Sequence, residues 1–202
     1  MSWHVTVVTS VHPPDDPRIR YKTVETLRSH GWWVTYVCPQ PGPTYASGVD
    51  VITLGGGRIA RLAQAARIMS TSKSDVVVIH DPELLIPALP LAIAKRSTRF
   101  VLDLHENLPL QLRTRAATPA WLRTVTSSLS RLALRWAERV MAVTLAEPGY
   151  ATLFRSDPPA FANYPMTDRL PRRTSDAHGV VYVGDITEAR GAALLVEAVG
   201  RL

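Results

Sequence analysis

Sulfur and lysine are scarce in this chain, and each scarcity removes a class of explanation. Cys38 is the only cysteine in 202 residues, so no internal disulfide can form and an oxidising compartment is not indicated. Lys22, Lys73 and Lys95 are the only lysines, which leaves arginine to supply nearly all of the positive side of a formal net charge of +6. A basic surface favours anionic partners: phosphorylated small molecules, acidic lipid headgroups or nucleic acid. Nucleic acid is not expected, because no basic strand interleaved with aromatics and no recognised binding motif is present. Long hydrophobic runs are missing too. The longest uncharged apolar stretch, residues 84–94, contains Pro87 and Pro90 and is far shorter than the ~20 residues a spanning helix needs. The apolar run over residues 3–11 has no Lys/Arg-rich lead and is broken by His4 and threonines, so it does not read as a secretory signal. A cytoplasmic location is expected. With 46% apolar and 20% charged residues, what remains is the composition of a globular protein.

Strand-like and helix-like stretches alternate along the chain. β-branched or apolar runs predict strands over residues 4–9, 32–38, 49–54, 75–79 and 100–104, with a further one following residues 137–143. Helical spacing marks residues 17–30, with Gly31 just past the end, and 59–69 after Gly55-Gly56-Gly57. A long helix follows Pro119 and a short one spans residues 147–155. Near-continuous apolar strands separated by helices predict a parallel sheet covered on both faces, a Rossmann-like doubly wound α/β domain. Residues 163–178 are polar and turn-rich and read as a linker. The expected division is a domain over 1–172, a linker over 173–178, and an incomplete second unit over 179–202. That last unit reads as a buried strand (Val180 to Val183), a glycine turn and a helix start carrying Arg190-Gly191. A lone strand and helix cannot bury a core of their own.

In such sheets ligands sit beyond the carboxyl ends of the strands. Three polar clusters fall there. His12, Asp15, Asp16 and Arg18 follow the first strand; His80, Asp81 and Glu83 follow the fourth; Asp103, His105 and Glu106 end the fifth. Gathered on one rim, they would hydrogen-bond a polyhydroxylated ligand. The plainer alternative is that Asp81 and Asp15 cap helices whose first turn holds a proline. His80, Asp81, Asp103 and His105 are also metal-ligand types, but no spacing matches a zinc or calcium motif, and no metal is expected. Gly55-Gly56-Gly57-Arg58 lacks the spacing of a dinucleotide or P-loop cradle and reads as a turn. No Ser-His-Asp or Cys-His arrangement stands out, and Cys38 reads as structural.

The long helix carries two stripes. Leu122, Val125, Leu129, Leu132 and Trp136 recur at three- and four-residue spacing and are expected to face the core. Arg123, Arg131, Arg135 and Arg139 fall beside them. They are either an ordinary solvated face or a reversible contact with an anionic membrane, where arginine meets lipid phosphate and Trp121 the headgroup level.

Taken in order, these segments resemble the family 4 glycosyltransferases of the GT-B fold, two Rossmann-like domains facing across a cleft. Residues 75–85 (DVVVIHDPELL) resemble a variant of that family's fourth strand, and Leu102-Asp103-Leu104-His105-Glu106 its strand-plus-histidine motif. Val143-Thr144 resembles the Val-Ser segment near the domain junction, and Asn163-Tyr164-Pro165 takes the place of the Pro-Asn-Gly turn. Val183-Gly184-Asp185 with Arg190-Gly191 resembles the start of the nucleotide-sugar domain, usually Gly-Arg followed by Lys-Gly.

The resemblance implies retaining transfer of a sugar from a nucleotide diphosphate donor to a hydroxyl acceptor, with no separate cofactor. Residues 1–172 would receive a carbohydrate or lipid-linked acceptor for cell-surface polysaccharide or glycoconjugate synthesis, at the inner face of the membrane. His105 would stand at the reaction centre, with His12, Asp16, Arg18, His80, Asp81, Glu83 and Glu106 binding substrate. Gly184, Arg190 and Gly191 would meet the donor diphosphate, where positive charge offsets the leaving group. Two departures stand out: Asp185 replaces an arginine, and His12-Pro13-Pro14-Asp15-Asp16-Pro17-Arg18 replaces a glycine-rich loop. The donor domain would need roughly another 150–180 residues, so the chain is expected to be a truncated gene product, a fragment or half of a split enzyme whose partner is a separate C-terminal half, and to be inactive alone. A non-catalytic Rossmann-like binding module and a sugar-nucleotide epimerase are the alternative readings.

Overall fold

Period-two alternation in the apolar strands sets the architecture, because it gives each strand two buried faces. The computed structural model describes residues 3–42, 44–45, 47–114, 118–164, 181–183, 186, 188 and 191–201. The chain divides into two compact units, Met1–Asn163 and Tyr164–Leu202. In the first, β1 (His4–Val8), β2 (Trp33–Pro39), β3 (Val49–Leu54), β4 (Val76–Ile79), β5 (Arg99–Leu104) and β6 (Ala142–Leu145) form one sheet. Its order is β3-β2-β1-β4-β5-β6, and every pairing is parallel. This is the doubly wound arrangement expected from the sequence.

Alternate residues feed two cores. Val77, Ile79, Phe100, Leu102, Leu104, Val143 and Leu145 pack on one face against α2 (Arg58–Thr71), α3 (Leu85–Ala94) and α5 (Ala120–Val140). Val5, Val7, Val34 and Tyr36 pack on the other against Ile19 and Val24. The helix predicted over 17–30 forms in two parts: wide π-type turns over Arg18–Val24, then α1 (Glu25–Ser29). Gly31 ends it with φ +77°, its N–H bonding Arg28 O at 2.9 Å while Trp32 N–H reaches Leu27 O at 3.2 Å, a Schellman cap. Residues 85–94 also form a helix, with Pro90 inside it, and α4 (Leu108–Thr114) adds another that periodicity did not mark. The predicted helix at 147–155 is a tighter 3₁₀ run, Pro148–Leu153. Among the described residues no helix is long and apolar enough to cross a membrane.

Two expectations are overturned. On α5 the large apolar residues face outward: Val125, Leu129, Leu132 and Trp136 are exposed, Leu122 is half-buried, and the buried positions are Ser127, Ser130, Leu134 and Ala137. The inward serines are tolerated because they are satisfied, Ser127 Oγ donating to Pro109 O at 2.9 Å and Ser130 Oγ to Ser127 O at 2.8 Å. In the second unit, Val181, Tyr182 and Val183 form no strand, and Val181 and Val183 stand 86% and 90% exposed. An isolated strand leaves its backbone groups unpaired, so nothing holds one here. That unit contains α6 (Ala192–Val199), entered through Gly191 at φ +77°. Gly184, Asp185 and Arg190 lie outside the described residues.

The inverted α5 gives a direct check. Leu134 is 0% exposed and Leu129 59% exposed. Leu134→Ala is expected to cost about 2–5 kcal/mol in urea unfolding, and Leu129→Ala less than about 0.5 kcal/mol. Equal losses would restore the inward stripe.

Candidate active site at the carboxyl edge of the sheet

Strand order reverses between β1 and β4, so the loops leaving these two strands diverge and open a crevice. The loop after β1 delivers His12, Asp16 and Arg18; the turn after β4 delivers His80, Asp81 and Glu83; the end of β5 delivers Asp103, His105 and Glu106. The three imidazoles meet there. Ring centroids lie 5.2 Å apart for His12 and His105, and 5.0 Å for His80 and His105.

Asp103 is the buried centre of this cluster. Arg18 grips it with a fork, Nε to Oδ2 at 2.8 Å and Nη2 to Oδ1 at 2.6 Å, while Arg18 Nη1 donates to Phe161 O at 2.6 Å. Thr144 Oγ1 donates to Oδ1 at 2.8 Å. His105 Nε2 approaches Oδ2 at 3.0 Å, and His80 Nδ1 lies 3.3 Å from the same oxygen. Burial alone would raise the pKa of Asp103, but hydrogen bonds from His105, His80 and Arg18 hold it far below the usual carboxylate range. Asp103 and His105 are two residues apart on one strand direction, so both project to the face on which Arg18 begins its helix.

Asp81 does not cap the turn that follows it. Its side chain makes no bond to Pro82–Leu84. Instead Oδ2 accepts from Thr9 Oγ1 at 2.9 Å, from Val11 N at 3.2 Å, and from the Ser10 backbone N–H and hydroxyl. It therefore ties the β1 loop to β4. The helix cap is Asp16 and not the exposed Asp15: Asp16 Oδ1 accepts from Arg18 N at 2.9 Å and Ile19 N at 3.2 Å.

His12 bridges the two acids, Nδ1 at 3.3 Å from Asp16 and Nε2 at 3.3 Å from Asp81. The bond that His12 donates to Asp16 is the main reason its pKa is raised, against a smaller opposing effect of burial. For Asp16 burial pushes upward, but His12 and the two backbone N–H groups prevail and lower it to about 2. His80 behaves oppositely. It is fully buried, burial lowers its pKa, and its Nε2 has no partner among the described residues. Its Nδ1 faces two groups, His105 Nε2 at 3.0 Å and the Asp103 oxygen at 3.3 Å.

Glu83 accepts from Ser10 Oγ at 3.0 Å and from Arg58, which extends from the Gly55–Gly57 turn to form a fork with Nε at 2.7 Å. These residues border a cleft of about 560 Å³ whose lining includes His12, Asp81, Glu83, Glu106, Arg58 and Gln111, with Val11, Ile86, Leu108 and Leu112 on its apolar side. His80 Nδ1, His105 Nε2 and an Asp103 oxygen also lie within 4.8 Å of one another, close enough to hold a metal ion. Spacing in the sequence gave no sign of this proximity. A cation there would share Asp103 with the Arg18 guanidinium.

Thr144, Ser10 and Arg58 are site residues that motif reading did not single out for binding, whereas Asp103 was grouped with His105 at the end of the fifth strand. The two-residue offset from His105 is the signal that identifies Asp103; Thr144 and Arg58 come from distant segments and leave none. Arg123, Arg131, Arg135 and Arg139 sit on α5, away from these contacts. Gly191 belongs to the second unit.

Removing one partner of a buried, hydrogen-bonded ion pair strands the other, so Asp103→Ala is expected to cost about 3–5 kcal/mol in denaturant unfolding. Imidazole NMR provides a second check. His12 is expected to titrate above 6.5 and His80 below it. The stabilisation from His12 is therefore complete below pH 6.5 and lost as pH rises through its folded pKa. Asp16→Asn should bring the His12 midpoint down; an unmoved midpoint would remove Asp16 as the cause.

A family model described as "Glycosyl transferase 4-like domain" matches residues 1–160. No curated protein sequence matches the chain. Among solved structures, the crystal structure of LpCGTa in complex with UDP is similar at 16% identity and a TM-score of 0.46, over 73% of this chain and 46% of that one. A putative short-chain alcohol dehydrogenase from Burkholderia multivorans is similar at 12% identity and a TM-score of 0.41, over 74% of this chain and 85% of that one. The chain thus spans under half the length of LpCGTa. With the family match running from the first residue through the whole of the parallel sheet, this chain belongs to the glycosyl transferase 4-like domain family.

Proposed function

We propose that this chain is the acceptor-side part of a retaining glycosyltransferase, moving a sugar from a nucleotide diphosphate donor to a hydroxyl acceptor in cell-surface polysaccharide or glycoconjugate synthesis on the cytoplasmic side. The observation that carries this reading is the Asp103–His105 pair beside a polar cleft at the strand-order reversal. Hydroxyl-rich ligands need many paired donors and acceptors once desolvated, and His12, Glu83, Glu106 and Gln111 offer them.

His105 would act at the acceptor hydroxyl. Its Nε2 meets both an Asp103 oxygen and His80 Nδ1 at 3.0 Å, and these two contacts fix the orientation of the ring. In the transfer, the nucleotide diphosphate departs with the electron pair of the broken bond, the acceptor oxygen bonds the anomeric carbon on the face that the diphosphate leaves, which retains its configuration, and the acceptor proton passes to a phosphate oxygen of the leaving group. Arg190, with Gly184 and Gly191, would offset the charge gathering on that leaving group. No cofactor enters this scheme. On this reading, turnover depends on a C-terminal half that holds the nucleotide.

Two measurements test this. Incubated with a panel of radiolabelled nucleotide diphosphate sugars and oligosaccharide acceptors, the chain alone is expected to yield no glycoside; any turnover removes the proposed dependence on a second half. Titrated with the same oligosaccharides, the His12 and His105 imidazole resonances should shift, and the His105 response should disappear in Asp103→Asn while the fold persists by circular dichroism. Unmoved resonances across the panel would overturn the acceptor site.

A further inference from the structure

We propose that the solvent face of α5 is a docking surface for an anionic lipid bilayer, its apolar stripe entering the interface and its arginines meeting lipid phosphates. At about 100° per residue, Trp121, Val125, Leu129, Leu132 and Trp136 fall within an arc of roughly 80°. All five are exposed, Trp121 to 69%. They lie opposite Ser127, Ser130, Leu134 and Ala137, the residues that hold α5 to the domain. A helix that keeps serines inside and five large apolar residues outside has its amphipathic face turned to the surroundings, which is how helices that lie in a membrane interface are built.

Charge selects the partner. Arg131, Arg135 and Arg139 flank one side of the stripe, and Arg139 stacks over the Trp136 ring with its guanidinium carbon 5.6 Å from the centroid. Arg123 is half-buried on the inward side and drops out of the row expected from the sequence. The only acid on α5, Glu138, is turned toward residues 155–156, accepting from Arg155 N at 2.8 Å and from Ser156 N and Oγ at 3.1 Å, and pairs with Arg135 Nη1 at 3.8 Å, which leaves Arg131 and Arg139 as the arginines of the row without an acid on this helix. A second copy packed through the same face would therefore bring arginine rows together with no exposed acid to offset them. Lipid phosphate offers the complementary charge. Trp121 and Trp136 stand roughly 22 Å apart along the helix axis, one near each end of the stripe, where indoles settle at headgroup depth as the helix lies flat.

This inference does not rest on the transfer reaction, because none of these residues contributes to the carboxyl-edge cleft. The test is sedimentation of the full chain with phosphatidylglycerol/phosphatidylcholine vesicles against pure phosphatidylcholine vesicles. Binding is expected for the anionic vesicles, falling as salt rises. Arg131→Gln with Arg139→Gln should weaken it about 25-fold, at roughly fivefold per arginine near an anionic surface. Leu129→Gln with Leu132→Gln should weaken it at least about tenfold, with unchanged circular dichroism. The proposal is overturned by absent binding, by equal binding to both vesicle types, by indifference to the leucine pair, or by a concentration-dependent dimer in analytical ultracentrifugation that the leucine pair abolishes.

Discussion

The buried ion pair between Arg18 and Asp103 is the constraint on which the rest of the carboxyl edge depends. It joins the first turn of the helix after β1 to the end of β5, two segments 85 residues apart. Taking two charges out of water is costly, and the cost is offset only where the remaining lone pairs and protons also find partners. Here they do: Thr144, His105 and His80 approach the carboxylate, and Phe161 O takes the third side of the guanidinium. The network fixes the His105 ring from behind. The His105 ring is thus held through a carboxylate that an arginine fixes.

Two histidines on the same rim are pushed in opposite directions by what surrounds them. His12 sits between two carboxylates at the cleft and favours its charged form; His80 is sealed beneath and favours the neutral one. Protonation is thus favoured at His12, which lines the cleft, and disfavoured at His80. Asp81 supports both arrangements, holding the β1 loop by its backbone while facing His12 with its other oxygen.

Much of this fold was legible in the residues, because continuous β-branched runs such as residues 76–79 and 100–104 bury on both faces in only one common architecture. The strand ends therefore pointed to His12, Asp81 and His105 before any coordinates. The inverted stripe of α5 was not legible. Periodicity reports that a helix is two-faced, not which face the domain takes, and the usual assignment of leucine inward fails where serines are internally bonded. Nor could spacing find Arg58 or Thr144, whose partners come from remote strands and appear only once the sheet is assembled. The strand expected at Val181–Val183 failed for a related reason: its apolar residues match the pattern, but pairing is a property of neighbours.

Alternation along β5 has a consequence for how this family can vary. Phe100, Leu102 and Leu104 point into one core while Asp103 points the other way. Inserting or deleting a single amino acid within the strand would exchange the two sets, pressing a carboxylate into hydrocarbon and presenting leucine to the guanidinium. Length change is therefore forbidden inside β5 and must accumulate in the connections around it, so lineages diverging from this chain should differ in their loops while keeping the count from Arg99 to His105 unchanged.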